Sequence, residues 1–380
     1  MSRSRHDVSE AALEAVFLLA GGEERRAQLR DRARAAVAGA DFHQLALGLQ
    51  RRRLLPLIGS RVLEAAGDLC PPEFAATVEA ARREARARGL SVEAATRQAA
   101  ERLGEAGIRA LPLKGPLLAE EAHGDVGLRD TSDVDLLVPR ERLAEAAELL
   151  AGEPFGEPQD PLRGNGLPDL HLALRSQRRP SIEIHWRVHW YEEAFSADML
   201  ARARPGPDGL LRAVPDDLLA SLLLYYARDG FHGVRLAADI AAWWDRHGHA
   251  LPPRPLEGHA RRYPELRPAL TASAAVIEGV TGIAATEWLG SCAVRGRRVE
   301  LAERLADWRQ AGDRDQVAAN MSLVDGLLGP SGAGRAFVRR ELLPPSGSPV
   351  THAAKVGARC AIALWRVRRG RLWAPPPMAA

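Results

Sequence analysis

The sequence predicts an α+β protein in which a small mixed β-sheet is flanked by mainly α-helical N- and C-terminal regions. Three observations predict it. Residues 9–107 are dominated by Ala, Leu, Arg and Glu, with apolar positions recurring every three or four residues, the period of an amphipathic helix. Residues 111–138 (LPLKGPLLAEEAHGDVGLRDTSDVDLLV) change character and read as strand, glycine turn, short helix, loop and strand. Residues 181–188 (SIEIHWRV) alternate with period two, setting Ile182, Ile184, Trp186 and Val188 on one face and Glu183, His185 and Arg187 on the other. The expected organisation is a helical region over 1–107, a sheet-containing core over 108–200 and a second helical region over 201–380.

Composition bounds the answer. A chain of 380 residues, 46% hydrophobic and 27% charged, is expected to be soluble and globular and to exceed one typical domain. No run of about 18 apolar residues occurs, so no membrane partner is expected. Cys70, Cys292 and Cys360 are odd in number and widely spaced, which points to a reducing cytoplasm, without a disulfide framework or a zinc site. Lysine occurs only at positions 114 and 355. With every other basic residue an arginine, the net charge of +3 reads as compositional bias rather than nucleic-acid binding, and Lys114 stands out beside Gly115. No aromatic interleaving of the kind single-strand binders use is present.

In the first region, Ser9 is the expected N-cap of a helix rather than part of a signal peptide. Breaks are expected near 21–22, 39–40, 56 and 70–72. A long helix over 73–106 then follows, interrupted at Gly89 and restarted at Ser91. The arginines at 51–53 and 82–83 read as solvated helix faces more than as phosphate contacts.

The core carries the chemistry. A strand over 108–113 leads into Gly115, and a second over 134–138 has Asp133 and Asp135 at its start. Residues i and i+2 of a strand point the same way, so the two carboxylates share a side, with Cα atoms roughly 6.5 Å apart. Carboxylates this close repel and call for a cation, and Mg²⁺ suits hard oxygen ligands while keeping positions open for phosphate oxygens. Glu183 is the expected third ligand or general base, against the plainer reading of an edge-strand residue facing water. His185 shares its face and either contacts substrate, orients the carboxylate or is structural. Zinc is not expected at His185 and His189. Arg129, four residues before Asp133, either grips a phosphate or pairs with Asp130 or Asp125. A Gly- and Pro-rich loop is expected over 153–169, and residues 171–174 are expected to form a hairpin with 181–188.

Three blocks in order, Leu113-Lys114-Gly115, then Arg129 through Asp133-Val134-Asp135-Leu136-Leu137-Val138, then Ile182-Glu183-Ile184-His185-Trp186, carry a resemblance. The chain resembles the uncharacterised bacterial nucleotidyltransferase family of the polymerase beta-like superfamily. The resemblance implies metal-dependent transfer of a nucleoside monophosphate from an NTP such as ATP. Asp133, Asp135 and Glu183 would be the catalytic ligands of Mg²⁺ (or Mn²⁺), and Lys114, Gly115, Arg129 and His185 would line the nucleotide site. It also implies companionship with peptide natural-product pathways, so the expected acceptor is a peptide or small molecule, with RNA left open. A nucleotide-sugar donor and a non-catalytic binding module are the alternatives. Gly115 is followed by Pro116 where the superfamily commonly has serine, which removes one phosphate-binding hydroxyl.

In the last region a helix is expected from Asp216-Asp217, with Leu218, Leu219, Leu222, Leu223 and Tyr226 at helical spacing, and a second over 234–246. The resemblance continues through Asp239-Ile240-Ala241, while Tyr225 and Tyr226 stand where the family often has histidine. Trp243 and Trp244 read as core, 249–258 as a linker, and 260–290, 297–310, 314–328 and 350–370 as further helices. The basic tail at 366–371 reads as a solvated terminus.

Overall fold

A computed structural model describes residues 17–159, 171–177, 179–190, 192–306 and 314–330, with single positions at 350, 354, 357 and 361. The expectations for Ser9, Cys360, the helix over 350–370 and the basic tail lie outside these residues, apart from those single positions. From residue 23 the chain forms the short helices α1 (Glu23–Gln28), α2 (Arg30–Val37), α3 (Phe42–Arg51) and α4 (Ser60–Ala66). Asp41 caps α3, its side chain accepting from the amides of His43 and Gln44 at 3.0 and 3.1 Å.

Helix α5 (Pro72–Glu105) is continuous, and the interruption expected at Gly89 is absent. Glycine costs a helix interior only about 1 kcal/mol relative to alanine. Here it also makes room for a neighbour, because a Cβ at Gly89 would lie 2.4 Å from Val126 Cγ2. The helix ties the two parts of the molecule together. Phe74 and Val78 pack into the large helical core. Val92, Ala95, Ala99 and Leu103 pack into the smaller core beneath the sheet.

The core then runs β1 (Leu111–Pro112), α6 (Pro116–His123), β2 (Asp133–Leu137), α7 (Leu143–Leu150), β3 (Glu157–Gln159), β4 (His171–Arg175), β5 (Ser181–His185) and α8 (Ala194–Arg202). The sheet order is β1-β2-β5-β4-β3. β2 and β5 are parallel, and the other pairs are antiparallel. The first strand is shorter than expected, although the Leu113 amide still bonds the Asp135 carbonyl at 3.1 Å. The alternation over 181–188 overstates β5, which ends at His185. Trp186 stays with the sheet-side core, whereas Val188 joins the helical core. The Val188 amide leaves the ladder to bond Ser196 Oγ (2.9 Å) and Glu192 Oε1 (3.1 Å).

One face of the sheet is apolar. Val134, Leu136, Ile182, Ile184 and Leu174 pack with the second half of α5 and with α7. The other face carries the acidic residues. The chain continues through β6 (Arg204–Pro205), β7 (Leu211–Arg212), α9 (Pro215–Arg228), α10 (Arg235–His247), α11 (Glu257–Arg262), α12 (Arg267–Thr281), α13 (Arg297–Glu303) and α14 (Arg314–Leu328). The helix expected over 260–290 divides at Pro264, which opens a 3₁₀ turn between α11 and α12. Trp243 is buried, and Trp244 packs on Trp288 with ring centroids 4.4 Å apart, as the core reading expects. Among the described residues, no helix is long and apolar enough to cross a membrane.

Candidate active site

Strand register assembles the polar face. Asp135 on β2 pairs with Glu183 on the parallel strand β5, and Asp133 lies two residues before Asp135 on the same face. On the far side, β4 pairs His171 with His185 and Ala173 with Glu183. Asp133, Asp135, Glu183, His185 and His171 therefore share one surface. His185 Nε2 lies 2.9 Å from Asp135 Oδ1 and 3.4 Å from Glu183 Oε2. His171 Nε2 lies 3.7 Å from Glu183 Oε2. The structure therefore brings five of the seven sequence-predicted residues, Lys114, Asp133, Asp135, Glu183 and His185, to this face, with Gly115 at its edge.

Lys114 enters from the turn after β1. Its Nζ stands 3.4 Å from Asp135 Oδ2 and 3.9 Å from the ring centroid of Tyr225, on α9. Arg228, three residues further along α9, lies over the same ring at 4.2 Å. The i, i+3 spacing puts both on the helix face above the sheet. Gly115 has φ +73° and ψ −140°, a conformation open to glycine and costly for other residues. A Cβ there would meet only Thr131 Cγ2 at 3.6 Å, so glycine supplies backbone geometry rather than space. Pro116 begins α6. Proline fits the first helical position because its missing N–H has no intrahelical partner there. The Gly-Pro departure thus costs a hydroxyl but not the helix start. Lys114, Gly115, Pro116, Leu117, Asp133 and Asp135 line a narrow cleft closed by Glu93 and Thr96 of α5 and by Leu210.

The electrostatics are uneven. Burial disfavours the charged form of Asp135, but Lys114 and the His185 hydrogen bond outweigh it and hold the carboxyl far below its usual range. Burial also works against Glu183, yet the His185 bond and nearby His171 hold it at about 2. Asp133 goes the other way: burial, then the charge of Asp135, raise it, with Lys114 compensating in part. Two carboxylates are held ionised, and Lys114 and Arg235 compensate the third only in part. A hard divalent cation beside Asp133 and Asp135 fits that deficit.

Arg129 is placed differently from the phosphate contact the sequence suggested. It is buried, with Nε 2.8 Å from Asp239 Oδ2 on α10 and Nη1 3.2 Å from Thr131 Oγ1. Asp239 also meets His123 Nε2 at 2.9 Å, and His123 Nδ1 lies 3.2 Å from Arg61 Nη2 on α4. The aspartates expected as alternative partners are engaged elsewhere. Asp130 pairs with Arg53 (2.9 Å) and Arg88 (3.0 Å), and Asp125 with Arg82 (3.0 Å) and Arg86 (2.9 Å). Arg53 and Arg82, read from the sequence as solvated, clamp the loop that feeds β2.

Sequence reasoning did not single out His171, Arg228 or the pairing of Asp239. The 175–180 turn, centred between two strands, was the available signal for His171, since it sets His171 opposite His185. Among the described residues, two groups of potential ligands have atoms within 4.8 Å of one another: His171, Glu183 and His185, and Asp216, Asp217 and His259. The second is an ion-pair cluster, with Asp217 between Arg202 (2.6 Å) and His259 (2.7 Å).

A small mixed sheet thus sets an acidic pair opening one strand beside a third carboxylate on its parallel neighbour, next to the Gly115 turn. A family model described as "Uncharacterised nucleotidyltransferase" matches residues 38–272, more than half of the chain and all of this cleft. The chain belongs to that nucleotidyltransferase family. Comparison with curated proteins returned no match, and comparison with solved structures returned none either.

Proposed function

We propose that the protein transfers a nucleoside monophosphate from an NTP to a hydroxyl or amine of a small-molecule, peptide or RNA acceptor, in a Mg²⁺-dependent reaction for which Mn²⁺ also serves. The observation that carries the reading is the register of Asp135 against Glu183, with Asp133 on the same face and the Gly115 turn beside them. Asp133 and Asp135 would hold the cation. When bound, Mg²⁺ would neutralise phosphate oxygens as negative charge shifts toward the leaving group.

The chain's own residues do the rest. Gly115 lets the backbone approach the triphosphate, and the amides opening α6 face an anion favourably. Lys114, already against Asp135, is a point charge for a phosphate oxygen. The acceptor oxygen or nitrogen attacks the α-phosphorus and gives up its proton to solvent, the bond from that phosphorus to the bridging oxygen breaks, and pyrophosphate leaves with the electron pair. Glu183, held at about 2, is a weak base at neutral pH, because proton transfer is best served by a group that titrates near the working pH. Its electrostatics favour the role of metal ligand over that of general base. Arg129, committed to Asp239, acts by fixing the loop that aims Asp133 rather than by gripping phosphate through both arms.

Titration calorimetry of the four NTPs with and without Mg²⁺ tests the reading. The expected result is Mg²⁺-dependent binding of at least one NTP, weakened at least about tenfold in Asp133→Asn. NTP binding that ignores both Mg²⁺ and the Asp133 substitution would count against it.

A further inference from the structure

We infer that the polar face holds a second, chemically different cation site, made by His171 Nε2, His185 Nε2, Glu183 Oε2 and Asp135 Oδ1, which takes a divalent transition-metal ion rather than Mg²⁺. The separations carry the argument. His185 Nε2 lies 3.4 Å from Glu183 Oε2 and 2.9 Å from Asp135 Oδ1, and His171 Nε2 lies 3.7 Å from Glu183 Oε2. Metal bonds of about 2.0–2.2 Å to imidazole nitrogen and carboxylate oxygen require ligand atoms roughly 3.0 Å apart at an octahedral corner and roughly 3.4 Å apart on a tetrahedral edge. The three separations, 2.9, 3.4 and 3.7 Å, bracket those values.

Chemistry selects the ion. Two imidazoles with two carboxylates form the mixed nitrogen and oxygen set that suits Zn²⁺, Co²⁺ or Mn²⁺, whereas Mg²⁺ is served by oxygen and water. The ligand atoms of His171, Glu183 and His185 all lie within 4.8 Å of one another, and Asp135 Oδ1 adjoins them through His185 Nε2. The ring nitrogens on the far side, Nδ1 of His171 and Nδ1 of His185, are buried with no hydrogen-bond partner. Metal binding would shift the proton that His185 Nε2 donates to Asp135 round to Nδ1 and open Nε2 to the ion. The absence of an acceptor behind each ring among the described residues also weakens the site, since such outer partners are typically worth about 10–100-fold in affinity. The site should therefore bind more weakly than one whose histidines are backed by acceptors.

The proposal deepens the functional reading above. It assigns Glu183 and Asp135 as ligands shared between a Mg²⁺ position toward Asp133 and a transition-metal position toward the histidines. Metal binding is measured without turnover, so the two readings fail separately.

The test uses the untagged full chain, stripped with chelator and kept in millimolar Mg²⁺, titrated with Co²⁺ and followed by calorimetry and visible absorption. One Co²⁺ per chain is expected, with the absorption of a low-coordinate nitrogen and oxygen site. His171→Ala and His171→Gln should each weaken binding at least about 100-fold with the melting temperature kept within a few degrees of wild type. If the alanine variant loses its fold, the glutamine variant decides. His259→Ala should leave Co²⁺ binding unchanged, which excludes the other histidine-containing cluster. Asp133→Asn should keep Co²⁺ binding while losing Mg²⁺-dependent NTP binding. Binding that Mg²⁺ displaces completely, or that survives His171→Gln, would overturn the assignment.

Discussion

Asp239→Ala should be one of the most destabilising single substitutions in the molecule. Asp239 is fully buried and accepts from Arg129 Nε at 2.8 Å and His123 Nε2 at 2.9 Å. Burial opposes its charge, but Arg129 and the His123 bond hold its carboxyl well below the usual range. Arg129 is raised in turn, because Asp239 outweighs the cost of burying a guanidinium that is only 6% exposed. Removing the carboxylate leaves that guanidinium the Thr131 hydrogen bond and the more distant charges of Asp133 and Asp135. Breaking a buried pair in this way costs about 3–5 kcal/mol, a large share of the 5–15 kcal/mol that holds a typical protein folded. At about 2–4 °C per kcal/mol for large domains, the melting temperature should fall by roughly 6–20 °C. Urea denaturation at pH 7 gives the free energy, and thermal melts check it. A paired substitution, Arg129→Met with Asp239→Leu, removes both charges and should cost clearly less than Asp239→Ala. Because the folded carboxyl is depressed, its contribution is present above the unfolded value near pH 4 and is lost in more acid solution. The Asp239→Ala deficit should shrink there. A single-variant cost below about 1 kcal/mol, or a double variant as costly as the sum of the singles, would refute the reasoning.

Four further outcomes follow from the same geometry. Gly89→Ala should destabilise by about 1–2 kcal/mol despite alanine's helix preference, because its Cβ would lie 2.4 Å from Val126 Cγ2; Val126→Ala in the same chain should relieve it, both read by urea denaturation. Gly115→Ala should cost about 1–3 kcal/mol of backbone strain at φ +73° and should weaken Mg²⁺-dependent NTP binding, since the turn would relax away from a φ that alanine disfavours. Burial, then His185, push His171 down to about 4 from an unfolded value near 6.5. The unfolded chain therefore binds more protons between those values, and metal-free protein should lose stability as pH falls through that window, with a flatter profile in His171→Ala melts. Lys114→Met should lower kcat/KM by about 100-fold or more under the proposed reaction, with Asp135 titrating at higher pH, because Lys114 is the largest influence holding that carboxyl down.

The acidic pair, the glycine turn and the period-two run through Glu183 were legible because each is written locally, in spacing or in residue type. The strand partners were not. Nothing near Asp135 in the sequence says that Glu183 lies beside it, or that β2 and β5 run parallel with β4 outside them. His171 escaped notice for that reason: its importance comes from the hairpin register that sets it against His185. The partner of Arg129 lies 110 residues away on α10, whereas the sequence offered only its neighbours Asp125 and Asp130. Gly89 misled because a helix-breaking residue and a packing glycine look alike until Val126 is seen against it. Strand ends were blurred too, since burial of Trp186 and Val188 in two different cores imitates one longer strand.

The central claim is nucleotidyl transfer governed by the carboxylates of β2. The most direct measurement incubates the protein with each α-³²P-labelled NTP, Mg²⁺ and a cell extract as the source of acceptor, and follows label transfer and pyrophosphate release. The account predicts label on a peptide, small-molecule or RNA band, abolished by Asp133→Asn and by chelator. Mg²⁺-dependent NTP binding with no label moved from any of the four would contradict nucleotidyl transfer and turn the search to another phosphate-linked donor.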